Sequence, residues 1–391
     1  MKTLGSIVKY KKGKPPKTGP NGGLPVLSPH YLRTGQVEEM VEVTSKDVVL
    51  NGGEIVLLWD GSNAGEFFRA RPGVLSSTMV VFEFDQEETD ADYLYYDLKR
   101  FEPELKGRTA GSGIPHVDKE LLLGREIFEG APDEQKMAAT VLLKVDCAIE
   151  QTEAVLLKQE RIKKGLMQDL LTRGLDAQGR LRDSASHPFK SSAVGLIPKE
   201  WAEGTIATKA TLHNNLRKPL SAVVRERMKG VFPYFGPTGI LGYINEYRLE
   251  GRFVLIGEDG DHFLKFATHE MTRLVDGRFN VNNHAHVLTG RNGCSTEWLH
   301  HFFRHRDLTY FLTRQGAGRF KLNKAAVLSL PLPVPSLDEQ ARIADRLVSD
   351  DRLLLAIKEQ LVKLIRLKNG LMNDLLTGRV PITPLLSRPS T

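Results

Sequence analysis

The octapeptide GLMQDLLT at residues 165–172 returns as GLMNDLLT at residues 370–377. The two copies lie 205 residues apart, and the same offset aligns the tripeptide DEQ at residues 133–135 with DEQ at residues 338–340. A repeat of this length predicts internal pseudo-symmetry, so any surface that one copy presents is presented twice in related geometry. The two copies of the unit span residues 92–172 and 297–377.

Each copy is predicted to contain a long helix. No proline occurs from Asp133 to Thr172, and apolar side chains recur at spacings of three, four and seven. Such a pattern is typical of a coiled-coil seam, so we expect two antiparallel helices that bury their seams on each other. The predicted seam positions are Ala138, Leu142, Val145, Ile149, Leu156 and Leu166, and Ile343, Leu347, Leu354, Ile357, Leu361, Leu364 and Leu371.

The starts of both helices carry local signals. Ser336 and Glu339 have the spacing of a capping box, in which each side chain satisfies a free backbone N–H. Pro132 stands where a first helical residue would, because its missing N–H costs nothing there. Gly165 and Gly370 recur inside the helices, where glycine costs about 1 kcal/mol relative to alanine. Their recurrence predicts a close crossing or a kink.

The block before each helix has a different texture, rich in Gly, Pro and Asn, with short apolar runs between turns. This pattern predicts an α+β fold in which two domains of short mixed strands alternate with two long helices in a pseudo-twofold arrangement. The first parts of the blocks, residues 1–91 and 204–296, match poorly, so we expect a repeated scaffold with differing insertions. The predicted domains are residues 1–132, the first helix and connector at 133–199, residues 200–336, and the second helix and tail at 337–391.

Bulk properties exclude several classes of protein. The 391 residues carry a formal net charge of +6, which is mildly basic and favours a polyanionic partner. The two cysteines, Cys147 and Cys294, are too few and too far apart for a disulfide framework or a zinc site. No apolar run approaches the roughly 20 residues that a membrane span requires. We therefore expect a soluble cytoplasmic protein without a membrane partner.

Basic and polar side chains gather at the glycine-rich turns of both blocks. The first 37 residues contain seven Lys or Arg and no Asp or Glu, which suits a phosphate backbone, although a solvated flexible arm would look the same. Asn, Arg, Ser and Thr can bond to base edges, although each is individually more common as a turn residue. The candidate DNA-binding residues are Lys11, Lys12, Lys14, Lys17, Ser62, Asn63, Arg69, Arg71, Ser76, Ser77, Asn214, Asn215, Arg217, Lys218, Tyr234, Thr238, Asn282, Asn283, His284 and Arg319.

Enzyme motifs are missing from the sequence. The stretch GAGR at residues 316–319 is not a phosphate-binding loop, and HEMTR at residues 269–273 has arginine where a zinc protease needs its second histidine. His301 and His305 could share a helix face, but no carboxylate or cysteine set joins them. We predict no catalytic residue and no metal site in this chain.

Several stretches together resemble one known family. They are WDGS at residues 59–62, GVLSST at 73–78, GLIPKEW at 195–201, YFGPTGILGY at 234–243, and the paired DEQ and GLMxDLLT segments. On these residues the chain resembles the specificity (S) subunit of type I restriction-modification enzymes over nearly its full length. One departure is that the sequence begins almost directly in the first domain, without an N-terminal counterpart of residues 195–201.

The resemblance implies a noncatalytic phage-defence subunit with two target-recognition domains, each reading one half of a bipartite DNA site with a nonspecific spacer. It implies docking of two modification (methyltransferase) subunits on the helices, joined by restriction subunits that carry the motor and nuclease. S-adenosylmethionine, ATP and Mg would then bind to those partners, with no cofactor on this chain. The residues expected to contact partner subunits are Leu166, Met167, Leu170, Leu371, Met372 and Leu375.

Two other hypotheses remain open at this stage. The chain could be a structural coiled-coil adaptor that links two protein-binding domains. It could also be a nuclease or methyltransferase with an unrecognised centre. Salt separates the first alternative from DNA recognition, because DNA binding weakens steeply as salt rises.

Overall fold

The computed structural model describes residues 2–15, 23–108, 115–128, 130–315 and 319–382. The chain divides into two compact units. The first unit consists of Met1–Val155 and Ile357–Thr391, and the second unit consists of Leu156–Ala356. Each long helix therefore contributes one part to each unit.

The first unit contains two four-stranded sheets. The strands are β1 (Lys2–Thr3), β2 (Val8–Lys12), β3 (Leu24–Leu27), β4 (Met40–Val41), β5 (Val49–Leu50), β6 (Ile55–Leu58), β7 (Phe67–Arg69), β8 (Gly73–Leu75), β9 (Met79–Phe84) and β10 (Glu126–Ile127). The helices are α1 (Leu4–Ile7), α2 (Pro29–Thr34), α3 (Ala91–Gly107), α4 (Lys119–Gly124) and α5 (Pro132–Thr172). One sheet has the order β2-β9-β6-β7 and the other has the order β4-β3-β8-β5, while β1 pairs with β10.

The second unit contains two sheets of the same size. Its strands are β11 (Phe189–Ser192), β12 (Gly195–Pro198), β13 (Ala202–Thr205), β14 (Ala210–Leu212), β15 (Lys229–Phe235), β16 (Ile240–Ile244), β17 (Leu249–Glu250), β18 (Phe253–Gly257), β19 (Thr272–Val275), β20 (Arg278–Val281), β21 (Ala285–Gly290), β22 (Thr313–Gln315), β23 (Arg319–Lys321) and β24 (Pro331–Val334). Its α-helices are α6 (Ile206–Lys209), α7 (Ala222–Arg227), α8 (Thr296–Phe303), α9 (Lys324–Ser329) and α10 (Leu337–Leu375), and short 3-10 helices lie at Asn214–Leu216, Asp261–Lys265 and Thr309–Phe311. The sheet orders are β14-β21-β18-β19 and β16-β15-β20-β17.

The two units have the same sheet topology. In each unit one sheet is wholly antiparallel, and the other has a central parallel pair, β3 with β8 or β15 with β20. The first parts of the two blocks match poorly in sequence, yet they share this topology, in agreement with the predicted repeated scaffold. Buried strands such as β6 and β18 need apolar side chains that fit a pleated surface, which many unrelated sequences provide.

In each unit, residues of both long helices share a hydrophobic core with the strands of that unit. In the first unit Ala138 and Leu142 of α5 share a core with Met372 and Leu375 of α10. Within that unit the two helix segments are antiparallel, because later residues of α5 pair with earlier residues of α10. In the second unit Leu170 and Leu171 of α5 share a core with Ile343 and Leu347 of α10 in the same antiparallel sense. Burial of each such leucine contributes about 1.5–3 kcal/mol.

The predicted seam is confirmed along both long helices. The less exposed positions follow alternating spacings of three and four, which is the heptad pattern of a coiled coil. At about 1.5 Å per residue, helices of 41 and 39 residues are each roughly 60 Å long. The seam positions are Ala138, Leu142, Val145, Ile149, Thr152, Leu156, Gln159, Lys163, Leu166 and Leu170 in α5, and Ile343, Leu347, Asp350, Leu354, Ile357, Leu361, Leu364, Lys368 and Leu371 in α10.

The predicted helix starts are partly confirmed. Pro132 is the first residue of α5, as expected. The Ser336 hydroxyl accepts from the backbone N–H of Glu339 at 3.3 Å. The capping box itself is not formed, because the Glu339 carboxylate instead accepts from the backbone N–H of Leu175 at 2.8 Å and from the Arg182 guanidinium at 2.9 Å.

The predicted close crossing at the repeated glycines is wrong. Both helices continue through Gly165 and Gly370, which are exposed. A Cβ added at either glycine would meet nothing within 4 Å. The glycines that end the helices are the crowded ones. A Cβ on Gly174 would lie 2.4 Å from the Trp201 ring, and a Cβ on Gly378 would lie 2.4 Å from the Phe128 ring.

Twin glutamines fix the start of each long helix. Gln135 Oε1 accepts from the backbone N–H of Asp90 at 2.9 Å, and its Nε2 donates to the carbonyl of Gly130 at 3.0 Å. Gln340, which the offset of 205 aligns with Gln135, makes the same two bonds to Ser295 at 2.8 Å and Pro335 at 2.8 Å. Asp90 and Ser295 are the N-cap residues of α3 and α8. The DEQ repeat is therefore a structural joint between two helices.

Candidate nucleic-acid interface

Backbone hydrogen bonds gather three loops of the first unit at the end of strand β6. The backbone N–H of Trp59 donates to the carbonyl of Thr78 at 2.8 Å. The N–H of Val117 donates to the carbonyl of Trp59 at 3.0 Å, and the N–H of Gly61 donates to that of Pro115 at 2.9 Å. We name these three loops, residues 59–63, 76–78 and 115–117, loop cluster 1.

The second unit has the same cluster at the end of strand β18. The N–H of Glu258 donates to the carbonyl of His284 at 2.8 Å. The N–H of Leu322 donates to the carbonyl of Glu258 at 2.8 Å, and the N–H of Gly260 donates to that of Phe320 at 3.1 Å. Residues 258–260, 282–284 and 320–322 form loop cluster 2. The loose similarity of WDG at residues 59–61 to EDG at residues 258–260 thus marks structurally equivalent turns.

Each loop cluster holds cations against carboxylates at its surface. In cluster 1 the Lys12 ammonium lies 2.7 Å from Asp60 Oδ2. In cluster 2 Asp259 lies 2.7 Å from His284 Nδ1 and 3.7 Å from Lys321 Nζ. These side chains are partly exposed, so such pairs contribute little stability and exchange readily with other ions. A phosphate group can compete with either aspartate for its lysine.

Five of the sequence-predicted DNA-binding residues come together around loop cluster 1. Lys12 contributes the cation, and Ser62 and Asn63 are exposed on the turn after β6. Ser76 and Ser77 are half-buried on the turn before β9, where the Ser76 hydroxyl lies 3.0 Å from that of Thr78. In loop cluster 2 the exposed candidates are Asn283 and His284.

Two candidates are buried and act inside the protein. Tyr234 has no solvent exposure, and its hydroxyl donates to the carbonyl of Lys218 at 2.7 Å and accepts from the N–H of Leu220 at 2.9 Å. Burial is the main reason that the pKa of Tyr234 is raised. Asn282 is also buried, and its side-chain oxygen accepts from the N–H of His284. Both residues shape their loops, and neither is an exposed DNA contact.

Three further candidates are committed to partners within their own unit. Arg69 donates to the carbonyls of Gly53 and Ala91 and pairs with Asp92. Arg217 pairs with Glu258 at 2.7 Å and also donates to three backbone carbonyls. Asn214 donates to His286 Nδ1 at 2.9 Å and accepts from the N–H of Val287. These bonds hold the three side chains against their own unit.

Among the described residues, the other candidates lie outside the two clusters. Lys11, Lys14, Arg71, Asn215 and Thr238 are exposed. Lys218 pairs with Glu246. Lys17 and the side chain of Arg319 fall outside the described residues.

One buried histidine anchors loop cluster 2. His286 has no solvent exposure, and its Nε2 lies 2.7 Å from the carbonyl of Leu322, to which it donates. Its Nδ1 therefore accepts from the Asn214 side chain, as a neutral imidazole can. Burial lowers the pKa of His286, which keeps it in this neutral form. The sequence reasoning missed this residue, because a single histidine within a strand carries no signal.

The six residues predicted to contact partner subunits lie in or against the cores of their own units. Leu170, Met372 and Leu375 are buried in the cores of their own units, and Leu166, Met167 and Leu371 pack against those cores. The repeated octapeptide is therefore a core element. The exposed large apolar residues of the long helices, which the sequence reasoning missed, are Leu143, Val155, Leu157, Ile162, Leu337, Val348, Leu353, Leu355, Val362, Ile365 and Leu367.

The described residues include no group of three or more His, Cys, Asp or Glu side chains placed to hold a metal ion. None of the helices in the described part of the chain is long and apolar enough to cross a membrane. Cys147 is exposed and Cys294 is buried, and neither forms a disulfide.

Comparison with known proteins identifies the family. A sequence model described as the type I restriction modification DNA specificity domain matches residues 1–159 and again residues 198–367. The chain belongs to this family. Each of the two matched segments contains one of the loop clusters. This specificity subunit therefore recognises DNA sequence through two target-recognition domains.

One relative matches the specificity subunit along nearly its full length, and another matches about a third of it. It is 29% identical to the type I restriction enzyme MjaVIII specificity subunit of Methanocaldococcus jannaschii, over 98% of this chain and 93% of that protein. It is 36% identical to a putative type I restriction enzyme specificity subunit of Haemophilus influenzae, over 34% of this chain and 33% of that one.

Solved structures share the fold of the specificity subunit. The S subunit of a type I restriction-modification system from M. genitalium superimposes with a TM-score of 0.60 at 17% identity, over 96% of this chain and 95% of that one. A chain from a structural study of complex assembly and conformational transition in the type I system superimposes with a TM-score of 0.57 at 14% identity, over 97% of both chains.

Proposed function

We propose that this specificity subunit is noncatalytic and that each target-recognition domain reads one half of a bipartite site in duplex DNA. The observation that carries this proposal is the pair of loop clusters, built on the same backbone hydrogen bonds in both units. Within one site, two half-sites on the same face of the duplex are about one helical turn, roughly 34 Å, apart.

The side chains proposed to meet DNA are the exposed members of the clusters. Lys12 and Lys321 would contact phosphates, which positions the domain without reading sequence. Ser62, Asn63 and Asn283 have side chains that can bond to base edges. The two clusters carry different residues on one framework, so the two half-sites would differ in sequence.

The long helices are the proposed docking surface for two modification subunits. Their exposed apolar residues lie outside the seam, where they would be buried by a partner. Methyl transfer, DNA translocation and cleavage would reside on modification and restriction subunits, together with S-adenosylmethionine, ATP and Mg. The assembly would work in the cytoplasm. We expect the isolated subunit to be poorly soluble, and a chain that stays soluble and monomeric at high concentration without a partner would contradict this docking surface.

The decisive experiment is co-expression with the neighbouring modification subunit, followed by mapping of methylated bases across the host DNA. A two-part motif with a fixed gap is the expected result. A stable complex that leaves the DNA unmethylated would instead support the adaptor hypothesis. Catalytic activity of the purified chain alone, with metal or S-adenosylmethionine, would contradict the noncatalytic role.

A further inference from the structure

One carboxylate joins three helices in the first unit. Asp146 of α5 accepts from the Tyr96 hydroxyl of α3 at 2.7 Å and from the Lys368 ammonium of α10 at 2.6 Å. The same ammonium lies 5.3 Å from the centroid of the Tyr96 ring, within cation–π range. Asp146 and Lys368 are each about three-quarters buried, so this contact is screened less than a surface pair.

The second unit contains an equivalent carboxylate. Asp351 of α10 pairs with Lys163 of α5 and accepts from Arg304, just beyond the end of α8, at 2.6 Å. Arg304 also donates to Glu270 at 2.8 Å. The offset of 205 residues relates Asp146 to Asp351 and also relates Lys163 to Lys368.

The second donor to the carboxylate, which comes from the recognition domain, differs between the units. Tyr96 aligns with His301, but the donor in the second unit is Arg304, which lies three residues later along the chain. The acid and the lysine are thus repeated in place, while the contribution of the recognition domain is a neutral hydroxyl in one unit and a guanidinium in the other.

The helix that carries the donor is also bonded to the sheet that carries the loop cluster. In the first unit, the Glu102 carboxylate of α3 accepts from the N–H of Phe67 on β7 at 3.0 Å. In the second unit, the Thr272 hydroxyl of β19 donates to the carbonyl of His300 on α8 at 2.9 Å. The strands β7 and β19 pair directly with β6 and β18, which lead into the two clusters. Hydrogen bonds therefore connect the helix that carries the donor, or leads into it, to the sheet whose neighbouring strand enters the loop cluster.

We propose that Asp146 and Asp351 are positioning residues that fix the orientation of each recognition domain on the long helices, and thereby the spacer length that the complex accepts. This proposal rests on the proposed function. Hydrogen bonds to an ionised carboxylate are short and directional, so each restrains rotation of α3 or α8 against α5 and α10. The packing of the units contributes most of their stability, and the carboxylate selects one orientation among those that packing allows.

The test uses the assembled complex with modification subunits and DNA substrates whose spacer is the cognate length or one base pair longer or shorter. Tyr96→Phe removes the domain contact and leaves the Asp146–Lys368 pair, and Asp146→Asn weakens both. We expect methylation at the altered spacers, relative to the cognate spacer, to rise about tenfold in both variants, since small misplacements change such rates strongly. The half-site sequences should stay the same.

Asp338→Asn is the matched control, because Asp338 is an exposed acid of α10 that pairs with Arg342 one turn along the same helix. It should leave the spacer preference unchanged. If Tyr96→Phe and Asp146→Asn keep wild-type spacer preference in a folded complex, the positioning role is wrong. Failure of the proposed function is distinguishable, because the wild-type complex would then methylate no bipartite site at all.

Discussion

The two units close the ends of their long helices in different ways on the same scaffold. In the second unit Trp201 packs edge-on against Trp298 with ring centroids 5.6 Å apart, and its Nε1 donates to the buried Glu339 carboxylate at 3.3 Å. In the first unit Phe128 supplies the ring that lies against the terminal glycine, from a different point in the chain. The end of the helix thus requires an aromatic ring over a left-handed glycine, and the origin of the ring is free to vary.

The largest difference between the units, in the free energy of unfolding lost on substitution, should appear at Glu339 and its counterpart Glu134. Glu339 is buried and holds the Arg182 guanidinium, which is 7% exposed. Glu339→Gln leaves that arginine charge buried with weaker compensation, so we expect a loss of about 3 kcal/mol in the free energy of unfolding. Glu134→Gln at the equivalent position affects a half-buried carboxylate that accepts from the N–H of Ala131, and should cost about 1 kcal/mol. Denaturant unfolding of both variants measures the difference, and equal losses would contradict the comparison.

Acid should weaken the second unit more than the first. Burial lowers the pKa of His300 to about 3 and that of His301 to about 4. Because these folded pKa values lie below the unfolded value, stability is full above about pH 6.5 and is lost as the pH falls toward the folded values. Tyr95 and Tyr96 occupy the equivalent positions in the first unit and stay neutral throughout this range.

At pH 5 the two histidines should together cost the second unit about 2–4 kcal/mol. Amide hydrogen exchange at pH 7 and pH 5, corrected for the intrinsic rate, reads each unit separately. We expect protection to fall in α8 and β19 while α3 and β7 keep theirs. A parallel loss in both units would show that some other titration dominates.

Alanine substitutions at two glycines, Gly165 inside α5 and Gly174 just after its end, should change the stability of the protein in opposite directions. Gly174 has φ of 63°, and a Cβ there would lie 2.2 Å from Glu339 Oε1. We therefore expect Gly174→Ala to destabilise the protein by about 1–3 kcal/mol. Gly165 lies inside α5 with no neighbour near its Cβ position, so Gly165→Ala should stabilise by about 1 kcal/mol. Thermal unfolding of both variants distinguishes these signs, and a destabilising Gly165→Ala would contradict the open space around this glycine.

Sequence reasoning predicted the features that depend on local periodicity. The seam of α5 and α10 and the start at Pro132 follow from side-chain spacing and backbone chemistry, and the structure confirms them. The strand order that the two recognition domains share was not predictable, because buried strands constrain the polarity and shape of side chains more than their identity. The burial of Tyr234 and the internal bonds of Arg217 were not predicted, because a sequence shows polar groups without showing which atoms they satisfy.

The smallest expected effect is on DNA binding, when the lysines of the two loop clusters are substituted. Lys12 pairs with one aspartate and its side chain is 47% exposed, whereas Lys321 is 25% exposed and lies near Glu258 as well as Asp259. If Lys12 contacts a phosphate, Lys12→Gln should reduce the slope of log affinity against log salt by about 1 and weaken binding equally on all sequences. Lys321→Gln should reduce the slope less, since two carboxylates already hold this ammonium. Binding of the assembled complex to a bipartite duplex over a range of salt concentrations measures both slopes. Equal slopes would show that phosphates displace the carboxylates in both clusters, and the two domains would then engage the DNA backbone in the same way.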